Sequence, residues 1–236
     1  MRKVKGALAA LFISAACMAQ DADKSTGGHF ADSLWSIYQK SRGENLAVYQ
    51  GRQILGGYPG ISGSAYYPFQ EWVMGSVQYE GIWYHNLELL FDIYREELMV
   101  RHPSGIPFVL YSDRVQSFYL RDRHFVHFTA DQKDLAPGFY EIVSEGKLTL
   151  YARRAVTLEE KIEDQTIQRD FIAKHRYYAL TNGEYKQIVR QKHLMELVKS
   201  QRNAINQAVR ASGMKFKTQP DAILKLIAET YNKSNP

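Results

Sequence analysis

The stretch "YEGIWYHNLELLFDIYREELMVRHPSG", residues 79–105, admits two readings, and the choice between them decides the fold. Leu87, Leu90, Tyr94 and Leu98 recur at helical spacing, whereas Leu87, Leu89, Phe91 and Ile93 alternate as they would along a half-buried strand. A helix here would lack a convincing cap and would interrupt a run of β-branched and aromatic segments on both sides. The sequence therefore predicts two strands turning near Arg95-Glu96.

Working outward, Trp72 to Tyr151 divides into strand-length pieces: "SVQYEG", "IWYHNL", "LELLFDIY", "ELMVRHPSG", "PFVLYS", "VQSFYLRD", "HFVHFT", "GFYEIVSEG" and "KLTLYARR". Turn residues stand between them, at Gly81, Asn86, Pro103-Ser104-Gly105, Asp122 and Ser144-Glu145-Gly146. Upstream, "LAVYQGRQI" reads as strand, turn, strand around Gly51, and "LGGYPGISGSAYYPF" is too rich in Gly and Pro for anything but a long surface loop. Downstream, "YYALTNGEYKQIV" is a hairpin through Asn182-Gly183, two residues that both tolerate positive φ. Leu194, Leu197, Val198, Ile205 and Val209 then predict a helix stopping at Gly213, and Pro220 opens a second with Ile223, Leu224, Ile227 and Tyr231 on one face. The expected fold is α+β: an antiparallel β-rich body over 30–189, as a meander, roll or half-barrel, with a two-helix hairpin over 190–236 packed on it.

The N-terminus reads as an export signal. Arg2, Lys3 and Lys5 precede an apolar run, Gly6–Ala16, that is too short for a permanent membrane anchor. Cleavage after Ala19 would leave a mature chain starting at Gln20, with a polar spacer over 20–29 and a short helix bearing Leu34, Ile37 and Tyr38. The alternative is lipidation: Ser14-Ala15-Ala16-Cys17 resembles a lipobox, with Cys17 diacylated, although Ser14 stands where a large aliphatic residue is usual. Cys17 is the only cysteine, so a chain cut after Ala19 has no disulfide, thiol nucleophile or cysteine metal site.

Charge is unevenly distributed. The formal +5 of the whole chain falls to +2 without the signal; Lys186–Pro236 carries ten Lys/Arg against three Asp/Glu, while 20–185 is net acidic. Solvated helix faces account for such a basic tail most simply, and an anionic partner is the functional alternative. Export excludes nucleic acid as that partner and leaves lipid headgroups, glycans or acidic protein surfaces.

The segments "VYQGRQ", "GSVQYEGIWYHNLELLFDIYREELMVRHPSG", "VQSFYLRDRHFVHF", "GFYEIVSEGKLTLYARR" and "LMELVKSQRNAINQAVRASGMKF" together resemble a family of exported proteins from bacteria of the Bacteroidetes phylum. The resemblance covers most of the mature chain and implies an envelope location, a Gram-negative context and a β-rich body. No chemistry is attached to these motifs, so it carries over no site residue. Phe91 departs from the tyrosine usual before the acid at 92.

Motifs for chemistry are weak. The glycines of 56–63 lack the Lys-Ser/Thr of a phosphate loop, and Gly60-Ile61-Ser62-Gly63-Ser64 lacks a nucleophile elbow, so neither a cofactor nor a catalytic residue is predicted. His124 and His127 face opposite sides of a strand and make no metal pair, and His102 suits a turn. Glu96 and Glu97 read as a solvent-exposed turn. Trp72, Trp83, Tyr66, Tyr67 and Tyr84 form the one candidate ligand-stacking group, though aromatics also fill the faces of any antiparallel sheet. These observations point to a non-enzymatic interaction or ligand-binding protein. The alternatives are a glycan or peptide hydrolase using Asp92, Asp113 or Asp122, and a carrier of lipid or other apolar cargo.

Overall fold

The structure is a computed structural model that describes residues 46–54, 56–130, 134–163 and 166–234. All of them belong to one compact unit, Arg42–Pro236. The expected signal peptide, the spacer, the N-terminal helix and Cys17 lie outside the described residues.

The 79–105 stretch is two strands. Ile82–Asp92 (β3) pairs antiparallel with Glu97–Arg101 (β4), Asp92 facing Glu97 across a turn in which Glu96 adopts φ +60°. The expected break at Asn86 is absent, because β3 runs unbroken for 11 residues; Asn86, at φ +56°, lies in a bulge against Val73–Tyr79 (β2). A bulge absorbs the left-handed residue that would otherwise end the strand.

The remaining strands are Arg52–Gln53 (β1), Pro107–Val109 (β5), Val115–Leu120 (β6), Arg123–Phe128 (β7), Gly138–Ser144 (β8), Thr149–Arg153 (β9), Val156–Glu163 (β10), Thr166–Ala173 (β11), Arg176–Thr181 (β12) and Glu184–Ile188 (β13). Among the described residues eleven form one antiparallel sheet in the order β1-β5-β4-β3-β2-β6-β7-β8-β9-β12-β13, and β10 and β11 form a separate two-stranded ribbon. Two local expectations change. Ala47–Tyr49 is a 3-10 turn and only Arg52–Gln53 is extended, since Gly51 lies against the Val109 carbonyl, closer than a Cβ could. The Gly-rich segment is irregular but not merely superficial, for Ala65 is buried and Tyr67 and Phe69 pack on the main core.

One face of the sheet carries two hydrophobic cores. Phe91, Phe118, Phe125 and Phe139 interlock in the first, with Phe118 stacked on Phe125 at 4.7 Å. The second joins Leu148, Leu150, Ala152, Tyr177, Ala179 and Ile188 to the C-terminal helices. The predicted first helix is divided into Gln191–Leu197 (α1) and Arg202–Ser212 (α2) by a 3-10 turn over Lys199–Gln201, while buried Val198 stays in the core. Gly213 ends α2 at φ +66° and Pro220 opens Pro220–Lys233 (α3), as the sequence predicts. Asn232 fastens the far end of α3 to the β8–β9 turn, accepting from Leu148 N–H (3.0 Å) and donating to the Glu145 and Leu148 carbonyls (3.0 and 2.9 Å).

The β10–β11 ribbon was not legible as an element, yet it continues β9 and β12. Arg153 faces Arg176 at the end of the main sheet and Val156 faces Ala173 at the start of the ribbon, with two residues per strand between. Within that gap Lys174 N–H still donates to Ala155 C=O at 2.9 Å. The result is an arm rooted in the sheet and bent at Arg154-Ala155 and Lys174-His175. Ser62 braces it, donating to Arg169 C=O and accepting from Phe171 N–H, both at 2.9 Å.

Candidate functional site

The seam between the two cores is charged. Alternation along paired strands puts Phe125, Phe139, Glu141 and Ala152 on one face, so Glu141 follows Phe139 just where the first core gives way to the second. Glu141 is 4% exposed and Arg154 2%. Arg154 Nε donates to Glu141 Oε2 at 2.5 Å, its Nη2 forms an ion pair with the same oxygen, and its Nη1 donates to Asp221 Oδ1 at 2.9 Å. Arg123 reaches Glu141 Oε1 at 2.6 Å from β7. Tyr177 donates to Asp221 Oδ1 at 2.5 Å, and both guanidinium groups lie over the Tyr67 ring, Arg154 at 4.8 Å and Arg123 at 5.5 Å.

Two arginines thus meet two carboxylates, which is how buried charge is tolerated. Burial pulls the Arg154 pKa down, but Glu141, Tyr67 and Asp221 outweigh it and hold the guanidinium charged. Burial also raises Asp221, and Arg154 and Tyr177 more than reverse this, so its carboxyl sits below the usual range. Its place in the first turn of α3 favours the same anion. Tyr67 and Tyr177 are pushed up by burial, and neither is a phenolate near neutrality.

A cleft of about 570 Å³ opens on one side of this network, in the bend of the arm. Its lining includes Arg153, Arg154, Lys174, His175 and Arg176 from the two strand junctions, with Tyr94 and Glu96 from the β3–β4 turn. Glu96 is not the solvent-exposed turn residue the sequence suggests. It accepts from Arg153 Nη2 at 2.8 Å and Phe139 N–H at 3.3 Å, and it lies so close over Gly138 that a Cβ there would stand 2.3 Å from Oε1. Glu97 is half-buried too, paired with Arg52 at 2.8 Å. Lys174 reaches Glu159 at 3.4 Å, and Arg176 is exposed with no ion-pair partner among the described residues. His175 Nδ1 accepts from Ala155 N–H (3.4 Å), so a neutral ring carries its proton on Nε2; burial first, then Arg154, lowers its pKa. On the other side of Arg154 a smaller cleft of about 250 Å³ is lined by Asp122, Arg123, Glu141, Asp221 and Lys225 among others.

The five candidate aromatics do not converge. Only Tyr67 joins the charged seam. Tyr84 is core, Trp72 lies under Arg101 at 4.5 Å, and Tyr66 sits beside Tyr58, whose hydroxyl donates to Asp92 at 2.5 Å. Trp83 belongs to a ladder on the opposite face of the sheet, where it stacks on His85 and meets Tyr119, itself stacked on His124 at 4.2 Å. Trp83 and His85 stack along one strand and Tyr119 and His124 across a strand pair, so one face of each ring is already taken by a neighbour. His127 packs on Phe139, and among the described residues no group of His, Cys, Asp or Glu could hold a metal ion.

The three aspartates considered for hydrolysis lie in different turns. Asp92 is 2% exposed and accepts from the Tyr94 and Arg95 backbones, which makes it a turn-former; Asp113 is in the 3-10 turn before β6; Asp122 alone lines a cleft beside Arg154. Glu141 and Asp221, the carboxylates that do converge, both contact the buried Arg154 and both line the smaller cleft.

Comparison of the chain with protein-family models, with curated proteins and with solved structures returns no match.

Proposed function

We propose that this chain is a non-enzymatic binding module of the cell envelope, and that its cleft at the arm root takes a small anionic ligand of the phosphate or carboxylate class. The supporting observation is the cleft's lining, which carries Arg153, Arg154, Lys174 and Arg176 against Glu96 alone. Arg153 and Arg154 are held in place by ion pairs, Lys174 can exchange its exposed contact with Glu159 for a ligand, Arg176 has no ion-pair partner among the described residues, and the His175 Nε2–H is a neutral donor. The export reading rests on the N-terminal sequence. No helix among the described residues is long and apolar enough to cross a membrane, which leaves that reading unaffected.

Thermal unfolding with inorganic phosphate, a hexose phosphate and a dicarboxylate as probes tests this. One of them should raise Tm, by an amount corresponding to about 2.7 kcal/mol at a hundredfold excess over Kd, and the double substitution Lys174→Ala/Arg176→Ala should abolish the shift. No stabilisation by any of the three would sink the proposal. A second anionic contact is favoured by the helices, where Lys199, Arg202, Arg210, Lys215 and Lys217 are exposed and have no ion-pair partner among the described residues. Binding of anionic vesicles that disappears with added salt would support it, and equal binding to neutral vesicles would count against it.

A further inference from the structure

The arm is amphipathic along its whole length. Cross-strand pairing puts Val156, Leu158, Glu160 and Ile162 on one face with Ala173, Phe171, Arg169 and Ile167 opposite them. Near the root this face is covered: Phe171 is 8% exposed and meets Tyr58 and Tyr94 at 5.1 Å each. Further out the same apolar stripe is bare, with Ile162 82% and Ile167 57% exposed.

The two edges of the arm differ. On β11, Ser62 occupies the outward groups of Arg169 and Phe171. Antiparallel geometry then requires their cross-strand partners, Glu160 and Leu158, to turn their own N–H and C=O groups to the far edge, as Ile162 does. Among the described residues no strand lies beyond β10. That edge is eight residues long and holds no proline.

We infer that β10 pairs antiparallel with β10 of a second copy of this chain about a two-fold axis at Glu160. The order Leu158-Glu159-Glu160-Lys161-Ile162 is self-complementary in that register. Leu158 of one copy meets Ile162 of the other, twice, covering the bare end of the stripe. Glu159 meets Lys161, twice, in the closely spaced non-hydrogen-bonded positions. Glu160 meets its own copy, and each is already neutralised by Arg169 at 2.7 Å. Charges on an edge strand ordinarily keep chains apart. Here a symmetric partner turns four of them into two attractive pairs, beside the two apolar contacts. The product is a four-stranded ribbon, isologous as two-fold interfaces are, and its small contact predicts a weak dimer with Kd on the order of tens of micromolar. This inference uses the outer edge of the arm and not the cleft at its root, and the two meet at one residue, since Glu159 also holds Lys174 at 3.4 Å; Lys161→Glu therefore tests the dimer without touching the cleft.

Sedimentation of the full chain tests it by charge reversal. Lys161→Glu should weaken the dimer at least about tenfold, Glu159→Lys should do the same, and the double substitution should restore it. A register probe uses cysteines introduced with Cys17→Ser: under a glutathione redox buffer Glu160→Cys should give at least about tenfold more disulfide dimer than Thr157→Cys, which faces Glu163 of the partner in this register. A monomer throughout the range to about a millimolar, a dimer indifferent to Lys161→Glu, or equal trapping of the two cysteines would each overturn the inference.

Discussion

Arg154 is the residue that ties the two ends of the charged seam together. It joins the end of β9 to β8 through Glu141 and to α3 through Asp221. Replacing it with methionine should cost about 3 kcal/mol, because the buried Glu141 keeps only Arg123 and Asp221 loses its one ion-pair partner among the described residues. Adding Glu141→Gln should recover much of that loss, and chemical denaturation of the single and double variants measures the coupling directly. Little of this was legible in the sequence. An arginine after a strand reads as a solvated end, and its partners lie 13 and 67 residues away. Tyr67 was singled out for its aromatic neighbours, and it matters instead as the surface beneath two guanidinium groups.

Among the elements, those announced by backbone chemistry were the readable ones. Asn182 and Gly183 take φ +52° and +78° in the hairpin they predict, so Gly183→Ala should cost about 1 kcal/mol in a melting experiment, by forcing a side chain into the left-handed region. The arm escaped notice for a physical reason: Glu159-Glu160 interrupts the apolar alternation that marks a buried strand, and the ribbon is exposed on most of its surface. The break in the first helix was hidden because Val198 keeps the helical apolar spacing while the backbone tightens. Phe171 is the anchor of the arm, and Phe171→Ala should accelerate amide exchange across 156–173 while leaving β9 and β12 protected. Equal acceleration in both regions would mean that the ribbon and the sheet open together.

At the scale of the molecule, the local alternation of each strand predicts the sheet, but the division into two cores with a charged seam depends on contacts between distant strands. Three histidines report on the whole fold, because His124, His127 and His175 all have pKa values pushed below 6.5, chiefly by burial. The folded state holds them neutral while the unfolded chain protonates them, so their contribution to stability is present in full above about pH 6.5. It is lost as the pH falls through the depressed folded values, and Tm should decline between pH 7 and about pH 5, where Asp and Glu are still largely ionised. Substituting all three with glutamine should flatten that slope. The helices cover the second core, so a chain ending at Ile188 would bare Leu148, Leu150 and Tyr177, and it should bind hydrophobic dyes and aggregate.

The unbroken count of residues across the bend makes the arm adjustable in length. Because the pairing on the two sides of Arg154-Ala155 and Lys174-His175 shares one register, removing the same number of residues from each strand leaves every remaining pair opposite its partner. Removing an even number from each also keeps Ile162 and Ile167 on the face they now occupy. Each step of two withdraws the tip by about 7 Å without disturbing the root. Insertions and deletions on one strand alone have no such freedom, so chains sharing this architecture should differ in reach by matched changes on both strands.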